Sequence, residues 1–180
     1  MSGPRAGVEP PRAAKRDRPP FKAVFFDFGD TLIVEEPGRH LWEMELKPMP
    51  HALELLQALK PQSKLGIISN TVGSGDAELR QVLDGLGMLD LIDGIVTSRD
   101  FGRAKPDAAI YREAARRLGV PLKESCMVGD RLETDIAGAR NAGILSVWLR
   151  HQHSVVIPDI EPDRTVTSLL ELRDWLLTGA

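Results

Sequence analysis

The sequence predicts an α/β fold, a three-layer α/β/α sandwich built on an open, mostly parallel, Rossmann-like sheet. From residue 22 onward, short apolar runs alternate with amphipathic segments of helical period, which is typical of repeated βαβ units. The chain has 180 residues and is 42% hydrophobic, which suits a single globular core. We therefore expect one domain over residues 21–180, with no sizeable cap domain.

Five apolar runs are expected to form the strands of this sheet. They are nearly continuous rather than alternating, as in parallel strands that are buried on both faces. The runs are KAVFFD (22–27), KLGIISN (64–70), LIDGIVTS (91–98), SCMVGD (125–130) and ILSVWL (144–149). Ligands of such sheets bind at the carboxyl ends of the strands, so the residues that follow each run are the first candidates for a site.

Five segments of helical character lie between or after these runs. The first places Ala52, Leu55 and Leu59 on one face. The second and third end at glycines, and Pro106 is expected at the first helical position of the third. The segments cover residues 51–60, 76–87, 106–119, 133–143 and 168–177.

Residues 1–20, MSGPRAGVEPPRAAKRDRPP, are expected to form a disordered tail. This stretch is rich in Pro, Arg and Ala and offers few side chains that could pack. It lacks the apolar core of a signal peptide. A basic docking arm is the alternative interpretation.

The composition argues against several classes of function. The net charge of −3 and the pI near 5.8 differ from the basic balance of nucleic-acid-binding proteins, so no nucleic-acid partner is expected. No apolar run is long enough to span a membrane. Cys126 is the single cysteine, which excludes an intrachain disulfide framework and fits a reducing cytoplasm.

Polar residues of complementary chemistry follow the predicted strands. Carboxylates in oxygen-rich surroundings suit Mg²⁺, whereas a hydroxyl, backbone amides and a lysine suit a phosphate group. Together they predict Mg²⁺-dependent phosphoryl transfer to or from a phosphorylated substrate. The residues are Asp27 and Asp30, Ser69 and Asn70, Lys105, and Asp130 and Asp135.

Four of these stretches also resemble the motifs of a known family. VFFDFGDTL, IISN, AKPD and VGDRLETD occur in that order, each at or just beyond a predicted strand end. The order and placement are similar to those of the haloacid dehalogenase superfamily, in its phosphatase branch. The resemblance covers residues 22–150. Each motif alone is weak, but four in register make a strong signal.

The resemblance implies a nucleophile and a metal site. Asp27 would attack phosphorus and form an aspartyl-phosphate. It would also ligate Mg²⁺, together with the backbone carbonyl of Gly29 and the carboxylate of Asp130. Asp135 would lie behind these ligands and orient Lys105 or a metal-bound water.

The resemblance also implies the residues that bind the phosphoryl group. Ser69 would donate a hydrogen bond to it, Asn70 would shape the pocket, and Lys105 would offset its negative charge. Asp30 and Thr31 would support the loop behind the metal ligands. The competing interpretation of Asp30 and Asp135 is that they cap turns or helices.

Gly29 departs from the family pattern. The family places a second carboxylate there, which protonates the leaving group and then activates water. Asp30 comes one residue later, and successive side chains of an extended segment point in opposite directions. Loss of a general acid–base costs about 10²–10⁴-fold in rate, so we expect slow turnover, a preference for good leaving groups, or a substitute acid such as His40.

A second departure concerns size. The stretch between Asp27 and Ser69 already contains the helix 51–60, and residues 35–48 would form a flap at most, because stable domains usually need about 50 residues. We therefore expect an open site that admits a bulky substrate, or one that a neighbouring subunit covers.

Three further interpretations stay open. A carbon–halogen hydrolase shares the fold, but the predicted Mg²⁺ carboxylates and Lys105 argue weakly against it. A scaffold or regulator with little activity is the other alternative. The third concerns His151 and His153, which follow the last predicted strand. They could form a metal-binding pair, but we favour a solvated loop.

Overall fold

The computed structural model describes residues 20–35 and 45–179. The predictions for residues 1–19 of the tail, for most of the flap and for His40 fall outside the described residues. Within the described ranges, none of the helices combines the length and the apolar character that a membrane crossing requires.

The described residues form one sheet of six parallel strands in the order β3-β2-β1-β4-β5-β6. All neighbouring strands pair in parallel, which confirms the predicted α/β class. The strands are β1 (Ala23–Phe26), β2 (Lys64–Ser69), β3 (Gly94–Thr97), β4 (Ser125–Gly129), β5 (Leu145–Leu149) and β6 (Arg164–Val166).

Helices cover both faces of the sheet and complete the three layers. On one face, Phe26 packs in a cluster with α1 and α6, while on the other Phe25 packs with α4. The alternation follows from the period of two along a strand. The helices are α1 (Ala52–Leu59), α2 (Asp76–Gly85), α3 (Ser98–Phe101), α4 (Ala108–Leu118), α5 (Ala137–Ala142) and α6 (Leu169–Thr178).

The register brings the ends of the central strands together. Phe26 of β1 lies between Ile67 of β2 and Val128 of β4, and the backbone N–H of Asp27 donates to the carbonyl of Val128 at 2.9 Å. The residues that leave β1, β2 and β4 therefore emerge side by side at one edge of the sheet.

Three predicted boundaries are wrong, each for a local reason. The third strand begins at Gly94, because Leu89–Leu91 forms a 3₁₀ turn. Pro106 does not begin α4: Asp107 caps it by accepting from the N–H of Ala109 at 2.8 Å. The predicted helix 133–143 is a π-helical turn over Leu132–Ile136 followed by α5.

Candidate active site

The candidate active site is a cavity at the carboxyl ends of β1 and β2. Its lining includes Asp27, Gly29, Ser69, Asn70 and Lys105, five of the residues singled out from the sequence. It also includes Glu35 and Arg131, which the sequence reasoning missed. The cavity thus collects carboxylates, a hydroxyl, an amide and two cationic side chains.

Lys105 lies at the centre of the charges in this site. Its Nζ donates to Asp27 Oδ1 at 2.5 Å and to Asp135 Oδ1 at 2.6 Å. Its side chain is only 2% exposed. Burial would lower the pKa of Lys105, but the negative charges of Asp135 and Asp27 outweigh it and raise that pKa. The ammonium group is therefore held in its charged form between two carboxylates.

Asn70 fixes the backbone of Lys105. Its Nδ2 donates to the Lys105 carbonyl at 2.9 Å, and its Oδ1 accepts from the Lys105 N–H at 2.8 Å. Both ends of the amide are engaged with one residue, so Asn70 sets the position from which the ammonium group reaches Asp27. Ser69, at the end of β2, is buried and faces the same cavity.

Asp135 is fully buried on the π-helical turn. Its Oδ2 accepts from the N–H of Arg131 at 3.0 Å, and its Oδ1 accepts from Lys105. A Cβ at Gly129 would lie 2.3 Å from the Asp135 carboxyl carbon, so only glycine at that position lets the carboxylate approach β4. Burial raises the pKa of Asp135, and the charge of Lys105 offsets this in part.

Asp130 supplies the carboxylate best suited to a cation. Its Oδ1 is buried and has no hydrogen-bond partner among the described residues. One ligand atom from each of Asp27, Asp130 and Asp135 lies within 4.8 Å of the others. An unpartnered buried carboxylate oxygen is costly in the absence of a cation, and oxygen ligands of this kind fit a hard divalent ion.

The same crowding makes Asp130 sensitive to pH. Burial, and then the charges of Asp27 and Asp135, raise the pKa of Asp130 to about 7. A carboxyl whose pKa is higher in the folded than in the unfolded protein stabilises the fold below its unfolded pKa, and that contribution is lost as the pH rises through the folded value.

We therefore expect the metal-free protein, in EDTA, to lose stability between about pH 4 and pH 7 relative to Asp130→Asn, which cannot ionise. At about 1.4 kcal/mol per pKa unit, the relative loss should be about 2–4 kcal/mol. Urea denaturation across this range measures it, with Asp84→Asn on the exposed side of α2 as the control. A constant difference between wild type and Asp130→Asn at every pH would contradict the expectation.

Asp30 is not one of the three clustered carboxylates, although it lines a second cavity with Asp130 and His151. Its Oδ1 accepts from the backbone N–H of Glu35 at 2.9 Å, and its carbonyl lies 2.7 Å from His151 Nε2. Its φ of 50° is left-handed, a conformation that Asp tolerates better than most residues. Asp30 thus holds a turn, and Thr31 beside it is buried, with no hydrogen-bond partner for its hydroxyl among the described residues.

Glu35 lies over Gly29 and faces Arg131. A Cβ at position 29 would lie 2.8 Å from Glu35 Oε2, and Arg131 Nη2 is 3.4 Å from the same oxygen. Partial burial raises the pKa of Glu35, Arg131 lowers it, and Asp30 and Asp27 raise it further, with a net rise. The sequence held one indirect signal for Glu35. Glycine at position 29, where the family has a carboxylate, leaves room for a carboxylate from elsewhere in the chain.

Comparisons with known proteins agree with the motifs. A sequence model of haloacid dehalogenase-like hydrolases matches residues 34–143, a range that begins after Asp27. The pyrimidine 5′-nucleotidase YjjG of Escherichia coli is 40% identical over 131 residues, 72% of this chain and 56% of that protein. The glyceraldehyde 3-phosphate phosphatase of Methanocaldococcus jannaschii is 32% identical over 133 residues, with 72% and 56% covered.

The chain spans about half the length of these curated relatives. A solved structure from Listeria monocytogenes serotype 4b superposes with a TM-score of 0.77 at 29% identity. The superposition covers 87% of this chain and 97% of the other. The sheet and its flanking helices therefore occur together in other proteins.

Proposed function

The chain belongs to the haloacid dehalogenase-like hydrolases, and from that premise we propose that it is a Mg²⁺-dependent phosphatase acting through an aspartyl-phosphate on Asp27. One observation carries the proposal. Lys105 Nζ bonds both Asp27 and Asp135 beside the unpartnered oxygen of Asp130. Phosphoryl transfer requires a nucleophile, a cation fixed beside it and oxygen atoms free to bind a metal ion. Asp27, Lys105 and Asp130 offer these three features.

The residues present fit a magnesium ion. Asp27, Asp130 and the backbone carbonyl of Gly29 would hold it, with Asp135 supporting from behind. When bound, the ion neutralises charge on the oxygens of the phosphoryl group. Asp130 would no longer leave a buried oxygen without a partner.

The remaining chemistry is assigned to side chains of the chain. A carboxylate oxygen of Asp27 attacks phosphorus, and the bond to the leaving-group oxygen breaks as the aspartyl-phosphate forms. Ser69 donates a hydrogen bond to a phosphoryl oxygen, and Lys105 offsets the negative charge. Asn70 and Asp135 act through Lys105, the first on its backbone and the second on its ammonium group.

The substrate and setting follow from the same features. Phosphorylated compounds are the substrate class, as the names of both curated relatives suggest for those proteins. A site without a large cap would admit bulky substrates, or would be covered by a second subunit. The acidic balance, with a pI near 5.8, disfavours nucleic acid as a partner, and the single cysteine fits a cytoplasmic location.

A phosphatase screen with acyl, aryl, sugar, nucleotide and protein phosphates tests the proposal. We expect hydrolysis that requires Mg²⁺, stops in EDTA and falls by at least about 10²-fold in Asp130→Asn, since a metal ligand is lost. Asp84→Asn serves as the matched control. Halide release from haloacids without metal would favour the carbon–halogen alternative. Binding of BeF₃⁻ without any turnover would favour a scaffold.

A further inference from the structure

Gly29 leaves a space that another carboxylate occupies. A Cβ at position 29 would lie 2.8 Å from Glu35 Oε2 and 3.0 Å from its carboxyl carbon, closer than packed carbon atoms approach. Gly29 is not among the residues with positive φ, so the backbone does not require glycine. The Glu35 carboxyl stands where a side chain at position 29 would begin, so carboxylates at the two positions would compete for one place.

The local structure holds Glu35 over the cavity. Its N–H donates to Asp30 Oδ1 at 2.9 Å. The N–H of the preceding Val34 donates to the carbonyl of Lys47 at 2.9 Å. Arg131 Nη2 lies 3.4 Å from Glu35 Oε2. The segment is thus held from both sides, and the carboxyl lines the same cavity as Asp27 and Ser69.

We propose that Glu35 is the proton-transfer carboxyl of this enzyme, in the place of the carboxylate that position 29 lacks. The role rests on the proposed phosphatase function. Asp30 is then a positioning residue. Its carboxylate oxygen accepts from the backbone N–H of Glu35 and so fixes the backbone from which the Glu35 side chain extends. Glu35 comes six residues after Gly29 in the sequence. A turn in which Ile33 pairs with Gly29 brings them together in space.

Glu35 gives up one proton in the first half-reaction and regains one in the second. In the first, Asp27 attacks phosphorus, the bond from phosphorus to the ester oxygen breaks, and that oxygen takes the proton of the Glu35 carboxyl as the alcohol leaves. In the second, a water attacks phosphorus and gives a proton to the Glu35 carboxylate. The bond from phosphorus to Asp27 breaks, its electron pair returns to Asp27, and inorganic phosphate leaves.

The experiment compares Glu35→Gln with wild type on two substrates in Mg²⁺. An alkyl phosphate needs a protonated leaving group, so its steady-state turnover should fall by about 10²-fold or more. An aryl phosphate does not, so Glu35→Gln should give a full burst of the aryl alcohol followed by slow turnover. Intact-mass measurement of acid-quenched protein should show the phosphoenzyme accumulating in the variant and not in wild type.

The matched control is Glu161→Gln, an exposed carboxylate outside the cavity, which should behave as wild type. A second pair of variants tests whether a carboxylate at position 29 can replace the Glu35 carboxylate. Glu35→Ala removes the obstruction, so adding Gly29→Asp to it should raise turnover at least about ten-fold over Glu35→Ala alone. Gly29→Asp by itself must displace the Glu35 carboxyl, the flexible end of that side chain.

Two results would overturn the role of Glu35 while leaving the proposed function intact. One is a folded Glu35→Gln that turns over both substrates as wild type does, without phosphoenzyme accumulation. The other is a folded double variant no more active than Glu35→Ala. If instead wild type shows no Mg²⁺-dependent turnover and no phosphoenzyme with any phosphate ester, the proposed function itself fails.

Discussion

Asp27→Asn should abolish phosphate-ester hydrolysis, with a loss of about 10⁴-fold or more, because removal of a covalent nucleophile eliminates the step on which the other residues act. The amide is nearly isosteric and its oxygen can still accept from Lys105, which now bonds Asp27 at 2.5 Å. The fold should therefore survive. Single-turnover assays with an aryl phosphate, combined with intact-mass detection of the phosphoenzyme, measure the loss.

The metal-free stability of Asp27→Asn separates a chemical effect from an unfolding one. The site holds three carboxylates close together, with Lys105 buried among them. Asn at position 27 no longer repels Asp130 and Asp135, but it also attracts Lys105 less, and Lys105 keeps its ion pair with Asp135. These effects oppose each other, so the unfolding free energy should change little. Wild-type activity in Asp27→Asn, or an equal loss in Asp84→Asn, would contradict the covalent mechanism.

The central sheet could be predicted because its strands are mostly apolar and almost continuously buried. β1, β2 and β4 are buried on both faces except at Lys64, and such runs stand out in a sequence. β6 was missed because only Val166 of its three residues is buried. It pairs with β5 through backbone hydrogen bonds, and a hydrophobicity pattern does not report such bonds.

The positions of the motif residues at strand ends could also be anticipated, because parallel strands end at a common edge. Lys105 bonds both Asp27, which follows β1, and Asp135, which lies on the π-helical turn. The resemblance implied that Lys105 lies near Asp27, and offered Asp135 as a residue that orients it. The two hydrogen bonds of Asn70 to the Lys105 backbone had no sequence signal.

Glu35 could not be located from periodicity. The chain turns sharply after Phe28, whose carbonyl accepts from the N–H groups of both Leu32 and Ile33. This turn brings Glu35 back over Gly29, a contact that neither helical nor strand spacing predicts. Asp30 belongs to the same turn, because its carboxylate accepts from the backbone N–H of Glu35.

Lys105→Met should be the most destabilising of these substitutions. Asp135 is fully buried and Lys105 is almost so, and removing one partner of a buried ion pair typically costs about 3–5 kcal/mol. That is a large share of the roughly 5–15 kcal/mol by which domains are stable. Activity should be lost as well, because no ammonium group remains to hold Asp27 and to offset the charge of the phosphoryl oxygens.

The cost of Lys105→Met should depend on pH in a direction that identifies its cause. Without the lysine, the pKa of Asp135 rises further above its unfolded value, so the variant is least destabilised in acid and loses stability as the pH rises. Adding Asp135→Asn removes the unpaired charge and should recover part of the loss at neutral pH. Urea denaturation at several pH values measures both effects, with Lys123→Met at an exposed position as the control. A loss that is independent of pH and unrelieved by Asp135→Asn would mean that packing, and not the charge of Lys105, stabilises this site.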